Sequence, residues 1–357
     1  MRLHAHLLSR HVREDGAIVG PDPGVSLNLR VTRFVKSYLR VIPWRDRLYY
    51  QQAQTYWILD NFTLYKLEGD EKYKAASLRC AEVVAARQTA EGYWEYPQAE
   101  WRGRVATVEG CFGGLGLLAG YELTGEDRFL SGAARWYDYM INKVGFQSYD
   151  DESLAVNYFS NVGRGLVPNN STLALWFAAA LSDATADCRY LKYCSPMVNF
   201  LARCQLESGE LPYVLESEQG PGRKHYLCFQ YNAYQFLDLM EYYRVSRDER
   251  VLFVMKKLAE FLSGGVTAEG DARHDCEAVR PSMHYFTSAV AAALLQATEI
   301  KLGDYSELVA RAYNRLLSLQ RGDGGFDYSV GDYGILSDRR SYPRNQAMIL
   351  RHLLMVA

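Results

Sequence analysis

What this sequence lacks narrows it first. No apolar run reaches the ~18–20 residues needed to span a bilayer. The opening stretch, Met1-Arg-Leu-His-Ala-His-Leu-Leu-Ser-Arg-His, has no apolar centre of the kind a secretory leader carries. Neither sign of charge dominates: 40 Lys and Arg face 42 Asp and Glu, a net of −2, so no basic field draws nucleic acid or an anionic membrane. The seven cysteines, Cys80, Cys111, Cys188, Cys194, Cys204, Cys228 and Cys276, form no CxxC pair and sit in mostly apolar stretches. They read as reduced thiols of a cytoplasmic protein rather than a disulfide framework. There is no Walker loop and no HExxH, and nothing in the pattern asks for a metal or a cofactor. What remains is an ordinary globular composition over 357 residues, 48% hydrophobic and 23% charged, with one unusual count of 27 tyrosines.

The turns repeat. Leu67-Glu68-Gly69-Asp70, Leu123-Thr124-Gly125-Glu126, Asp183-Ala184-Thr185-Ala186-Asp187, Val245-Ser246-Arg247-Asp248 and Leu302-Gly303-Asp304 each close an apolar periodic stretch and offer an acidic cap to the next. Markers at 69, 125, 186, 246 and 303 are separated by 56, 61, 60 and 57 residues. A second series runs between them, through Arg13-Glu14-Asp15-Gly16, Gln88 to Trp94, Gln205 to Glu210, Thr267 to Gly270, and Gln320 to Phe326. One member is missing from that series, near Gln147 to Asp151. A unit of about 58 residues divides the chain into six.

Apolar residues at helical spacing predict twelve helices, over 26–40, 48–67, 71–89, 107–123, 126–143, 170–184, 189–206, 226–244, 247–263, 283–302, 305–320 and 342–356. Six hairpins joined alternately by short turns and long loops suit a closed double ring, an all-α (α/α)6 toroid forming one domain. The C-terminal helix is expected to pack on the first hairpin. Residues 1–25 are an N-terminal extension that either closes the ring or belongs to a neighbour.

The loops Gln88-Thr89-Ala90-Glu91-Gly92-Tyr93-Trp94 and Leu319-Gln320-Arg321-Gly322-Asp323-Gly324-Gly325-Phe326 resemble the Gln-x-x-x-Gly-x-aromatic repeats of α/α toroids. That superfamily includes six-hairpin glycosidases, polysaccharide lyases, glucuronyl C5-epimerases and prenyltransferase-like toroids. The resemblance spans nearly the whole chain as architecture but rests on short loops, and it implies fold far more than function.

The long loops (90–106, 144–169, 207–225, 264–282 and 321–341) all lead into the N-termini of alternate helices rich in small residues. Those helices are the expected inner ring, with their N-termini around one mouth. Candidate catalytic groups there are Tyr226, His225, His284, Tyr285, Glu109 and Asp151. Candidate ligand-binding groups are Arg104, Asn157, Asn169, Asn170, Gln230, Asn232, Arg280, Arg340, Tyr342, Arg344 and Asn345. Asn169 and Asn170 equally suit helix capping, and Asp151 suits a turn.

Tyr and His can take and return the proton α to a uronate carboxylate, while Arg and Asn neutralise that group. The leading expectation is therefore a lyase or C5-epimerase acting on an acidic glycan. A glycoside hydrolase is the alternative, pairing Glu109 with Asp151, Asp275 or Asp327. A terpenoid enzyme lacks its Asp-x-Asp-Asp motif, and the adjacent Asp275-Cys276 departs from the Asp-x-Cys of zinc prenyltransferases. A non-catalytic binding toroid completes the set.

Overall fold

The computed structural model describes residues 2–22, 35, 47–98, 101–276, 283–329 and 338–356. Twelve α-helices lie among them. Six form an outer ring: α1 (Arg2–Arg10), α3 (Glu71–Ala86), α5 (Asp127–Tyr139), α7 (Cys194–Cys204), α9 (Glu249–Ser263) and α11 (Ser306–Ser318). Six form the inner ring: α2 (Gln51–Glu68), α4 (Thr107–Thr124), α6 (Pro168–Thr185), α8 (Cys228–Ser246), α10 (His284–Glu299) and α12 (Pro343–Leu353). The two sets differ in the way their positions require. The outer α5 buries one stripe, Phe129, Gly132, Ala133, Trp136 and Tyr137, whereas the inner α4 and α10 are buried nearly all round.

Short turns join each inner helix to the outer helix that follows. Gly69 and Gly125 end α2 and α4 with φ of 70° and 71°. Asp70 and Asp248 then cap α3 and α9 by accepting from the N–H of Lys72 and Arg250. At the fifth turn Lys301, not Gly303, takes the positive φ.

Small residues let the inner ring close tightly. A Cβ at Gly110, Gly113 or Gly114 of α4 would fall within 3 Å of Trp136, Trp94 or Phe177. Each inner helix packs on the next, and α12 packs on α2, which closes the ring.

The Gln-x-x-x-Gly loops wedge the outer ring. The Gln88 carboxamide donates to Gly92 O (2.9 Å) and to Gly132 O on α5 (2.8 Å). Gln205 repeats this with Gly209 O (2.9 Å) and Val254 O on α9 (3.0 Å). Gln320 bonds Gly324 O (2.8 Å), and a Cβ on Gly324 would stand 2.5 Å from Arg2 O of α1. Residues 2–10 are thus the outer helix of a sixth hairpin whose inner helix is α12, the ring-closing one of the two roles that the sequence left open for them. The helix expected over 26–40 lies outside the described residues. At the missing marker a β-hairpin, β1 (Phe146–Asp150) and β2 (Ser153–Val156), packs on α7 instead, and Asp150 pairs with Arg203 at 2.6 Å.

The wedge can be tested by urea unfolding. Gln205→Ala leaves two carbonyls without their donor and is expected to cost about 1–3 kcal/mol. Gly69→Ala meets no atom within 4 Å and should cost only the strain of a left-handed residue, about 1–2 kcal/mol. Gly209→Ala adds a contact at 2.3 Å to Lys257 O, so it should cost clearly more than Gly69→Ala.

Candidate functional site

The first turns of the inner helices surround a cavity of about 360 Å³. None of these six helices has a side-chain N-cap. Some of their first N–H groups are taken locally: Gln51 donates to Glu109 Oε2 at 2.7 Å, Thr107 to Tyr158 O and His284 to Tyr328 O. Nine of the 27 tyrosines line the cavity, Tyr56, Tyr96, Tyr158, Tyr213, Tyr226, Tyr231, Tyr234, Tyr285 and Tyr328, with Trp101 and Phe112 beside them. The tyrosine excess is in good part this wall.

Three carboxylates reach the cavity, each in a different state. Asp22 is bound by Arg344 through two contacts, Nε to Oδ2 at 2.8 Å and a terminal guanidinium nitrogen to Oδ1 at 3.1 Å. Burial raises Asp238 well above the usual carboxylate range, although Thr172 Oγ1 donates to it at 2.9 Å. Glu109 lies between these extremes. Burial pushes it up to about 7, against the Gln51 N–H and the Arg344 charge, with Asp22 adding to the rise. It is the lining carboxyl that titrates near neutrality.

Burial raises the phenols as well, Tyr96, Tyr231 and Tyr234 well above 10 and Tyr158 to about 12, so these four donate hydrogen bonds and do not serve as bases. Arg164 spans Tyr158 and Tyr213, its guanidinium 4.4 Å from the Tyr158 ring centroid and 3.0 Å from Tyr213 Oη. Among the described residues its neighbours are hydroxyls, with no carboxylate in ion-pair range. Several buried amide atoms on the wall have no protein partner among the described residues: both of Asn170, and the oxygens of Asn169, Asn345 and Gln98.

Of the residues singled out from sequence, Glu109, Tyr226, Tyr285, Asn169, Asn170, Gln230, Arg344 and Asn345 line this cavity. The cap of α6 is Val167, with Pro168 starting the helix, so the two asparagines are left facing the cavity. The others are placed elsewhere. Asp151 is exposed in the β1–β2 turn. Arg104 lies 5.4 Å from the Phe159 ring. Asn157 donates to Val144 O and accepts from Gln147. Asn232 ties α8 to the backbone of Leu211. Arg340 and Tyr342 both bind the buried Asp338. His284 is buried, its ring 6.4 Å from Phe326. His225 pairs with Glu210 at 2.9 Å beside Cys276. Arg280 lies outside the described residues.

Sequence reasoning missed Asp22, Arg164 and Asp238. Only the last left a signal: Tyr231, Tyr234 and Asp238 stand at i, i+3 and i+7, one polar-tipped stripe along a helix.

No family profile and no curated relative matches this chain. Solved structures do. A cellobiose 2-epimerase from Bacillus thermoamylovorans B4167 superposes with a TM-score of 0.76 at 12% identity, covering 99% of this chain and 96% of that one. The fold is that of the α/α toroids. A polysaccharide lyase (TM-score 0.67, 13% identity, 91% and 95% covered) has the same toroid. So does the α-1,6-mannanase GH76A from Salegentibacter sp. HEL1_6 (0.69, 11%, 99% and 96%). At these identities the likeness speaks for fold. Among the described residues no helix is long and apolar enough to cross a membrane.

The titration of Glu109 has a measurable consequence. Above pH 4.5 the unfolded chain releases this proton while the folded chain holds it, so the group's contribution to stability falls as pH rises to about 7 and then levels off. The stability difference between wild type and Glu109→Gln should shift by about 3 kcal/mol across that window, in favour of the variant at high pH. Denaturant titrations at pH 4.5, 6, 7 and 8 would read it; a difference that does not change with pH means Glu109 titrates normally.

Proposed function

We propose that this chain is a carbohydrate-active enzyme acting on an acidic, uronate-bearing glycan, with the cavity as its active site. The observation that carries the reading is Glu109, poised at about 7 within a tyrosine-lined cavity whose buried amides lack partners. Aromatic walls suit the faces of sugar rings, and the orphan amides of Asn169, Asn170 and Asn345 suit hydroxyls. Arg164, with hydroxyls but no carboxylate beside it, suits the acid group of a uronate.

In this reading Glu109, ionised, removes the proton at C5, and the C–H electron pair moves into the sugar's carboxyl group as an enediolate. Arg164 meets the charge that develops there. Return of a proton to the opposite face, from Tyr226 or Tyr285, gives the C5 epimer and is completed when Glu109 passes its own proton on. Departure of the C4 oxygen with its electron pair gives instead an unsaturated sugar. His225, His284 and Asp151 carry no step.

A hydrolase needs an ionised carboxylate facing a protonated one. The raised Asp238 with an ionised Glu109 would meet that requirement as well, so the preference for proton transfer rests on Arg164, whose guanidinium suits a uronate carboxylate. We place the protein, as one domain, in the cytoplasm, on the strength of its free thiols.

Incubation with uronate oligosaccharides in deuterated buffer, followed by NMR, tests this. Deuterium should appear at C5, with or without an unsaturated product. Glu109→Gln should slow exchange by about 10²-fold or more. Arg164→Ala should raise KM for acidic substrates about tenfold. New reducing ends without exchange would replace this reading with the hydrolase, and silence across a broad panel would leave a binding toroid.

A further inference from the structure

Beside the cavity, four side chains that the reading above does not use converge. Glu210 and His225 come from the loop between α7 and α8, Cys228 from the first turn of α8, and Cys276 from the loop after α9. One donor atom from each lies within 4.8 Å of all the others. His225 Nδ1 is 2.9 Å from Glu210 Oε2 and 3.3 Å from Cys276 Sγ. Cys276 Sγ is 3.8 Å from Glu210 Oε2 and 2.7 Å from Cys228 Sγ. Glu210 and Cys228 are buried, His225 is half-buried and Cys276 is exposed.

We propose that this cluster is a zinc site with four protein ligands, Glu210, His225, Cys228 and Cys276. Two thiolates, an imidazole and a carboxylate are the donor types that select zinc among the common divalent ions. Bonds of ~2.3 Å to sulfur and ~2.0–2.1 Å to nitrogen and oxygen give tetrahedral edges of about 3.3–3.8 Å, the range in which both Cys276 contacts to His225 and Glu210 fall. The sulfur–sulfur edge at 2.7 Å and the His225–Glu210 edge at 2.9 Å are short of this range; the first opens by about 1 Å as the exposed Cys276 side chain swings outward to a tetrahedral position.

Two independent features favour a cation here. Deprotonated, the set holds three negative groups, the side chain of Asp275 places a further carboxylate oxygen 3.5 Å from Cys228 Sγ, and the ion-pair partner of Glu210 is His225. A dication balances that charge. The backbone is also held in an unusual shape: Leu227, between His225 and Cys228, has φ 47° and ψ 43°, a left-handed conformation that a leucine seldom adopts. That turn brings a residue of the loop and a residue of the helix to one point.

With four protein ligands the coordination sphere is closed, so the ion is structural. It pins the loop after α9 to the segment that carries Tyr213, Tyr226 and Leu227 of the cavity wall, and it fixes the start of α8.

The test is metal analysis of protein purified under reducing conditions without chelator. Wild type should carry about one zinc per chain, and Cys228→Ser and Cys276→Ser less than about a tenth of that. Exchange with cobalt(II) should give the intense visible bands and sulfur-to-metal charge transfer of a tetrahedral thiolate site, a readout on wild type that does not depend on the variants folding. A strong chelator should lower Tm reversibly in wild type and leave Cys276→Ser unmoved. Zinc below about a tenth of an equivalent after reconstitution, with no cobalt–thiolate band, would overturn the proposal. Full zinc in Cys276→Ser would overturn the ligand set. An intact mass two hydrogens light, marking a Cys228–Cys276 disulfide in the purified protein, would replace the metal with a redox pair.

Discussion

Six helical hairpins make a ring only if each is set at a constant angle to the next, and here a carboxamide sets that angle. Gln88 and Gln205 each bond the glycine carbonyl four residues on and a carbonyl of the neighbouring outer helix. The glycine then allows a contact that any Cβ would block, as at Gly92, where it would stand 2.7 Å from Arg135 O. One hydrogen-bonding side chain and one missing methyl group thus fix the wedge between hairpins. The close glycine contact recurs from α3 to α5, α7 to α9 and α11 to α1, and the second glutamine bond is made at the first two. The closed shape of the molecule is the accumulated result of these local geometries.

The cavity follows from that closure. Inner helices surrounded by other helices are apolar all round, so polar groups concentrate where their first turns emerge into the mouth. There the fold holds charge at a cost in solvation that differs from group to group. Asp22 is offset by Arg344, burial disfavours the charge of Asp238, and Glu109 has one N–H and a distant guanidinium as compensation. A carboxyl that is neither paired nor fully neutral is the feature that makes this cavity more than a packing defect. The phenols around it keep the site polar without adding charge.

The frame was legible in the sequence because each of its devices is local. A positive-φ glycine ends a helix, an aspartate starts the next, and a glutamine four residues before a glycine marks three of the corners, so the repeat could be counted. The site was legible in part. Glu109 stood out as an acid among small apolar residues at the start of a helix, and Asn170 and Asn345 as amides at helix starts. Equivalence within the repeat misled in two cases. His225 and His284 occupy matching positions 59 residues apart, yet one faces a loop carboxylate and the other Phe326. Arg340 and Tyr342 serve Asp338, whose partners a reading of helix starts does not reveal. Asp22 and Arg344 meet across 322 residues, and Arg164 acquires its setting from tyrosines on two separate loops. Pairings of that reach are properties of the closed ring and leave no spacing to read.

The sixth hairpin has no loop. Its outer helix α1 and inner helix α12 lie at opposite ends of the described chain, joined by side chains alone, as where His6 meets Ser341 at 3.0 Å. During synthesis α1 precedes α12, so five hairpins are made before these two can pair. Until α12 docks, Asp22 and Glu109 lack the Arg344 guanidinium, and the inner ring is an open arc. The cavity is therefore complete only when α12 has docked, and the repeat alone does not make it.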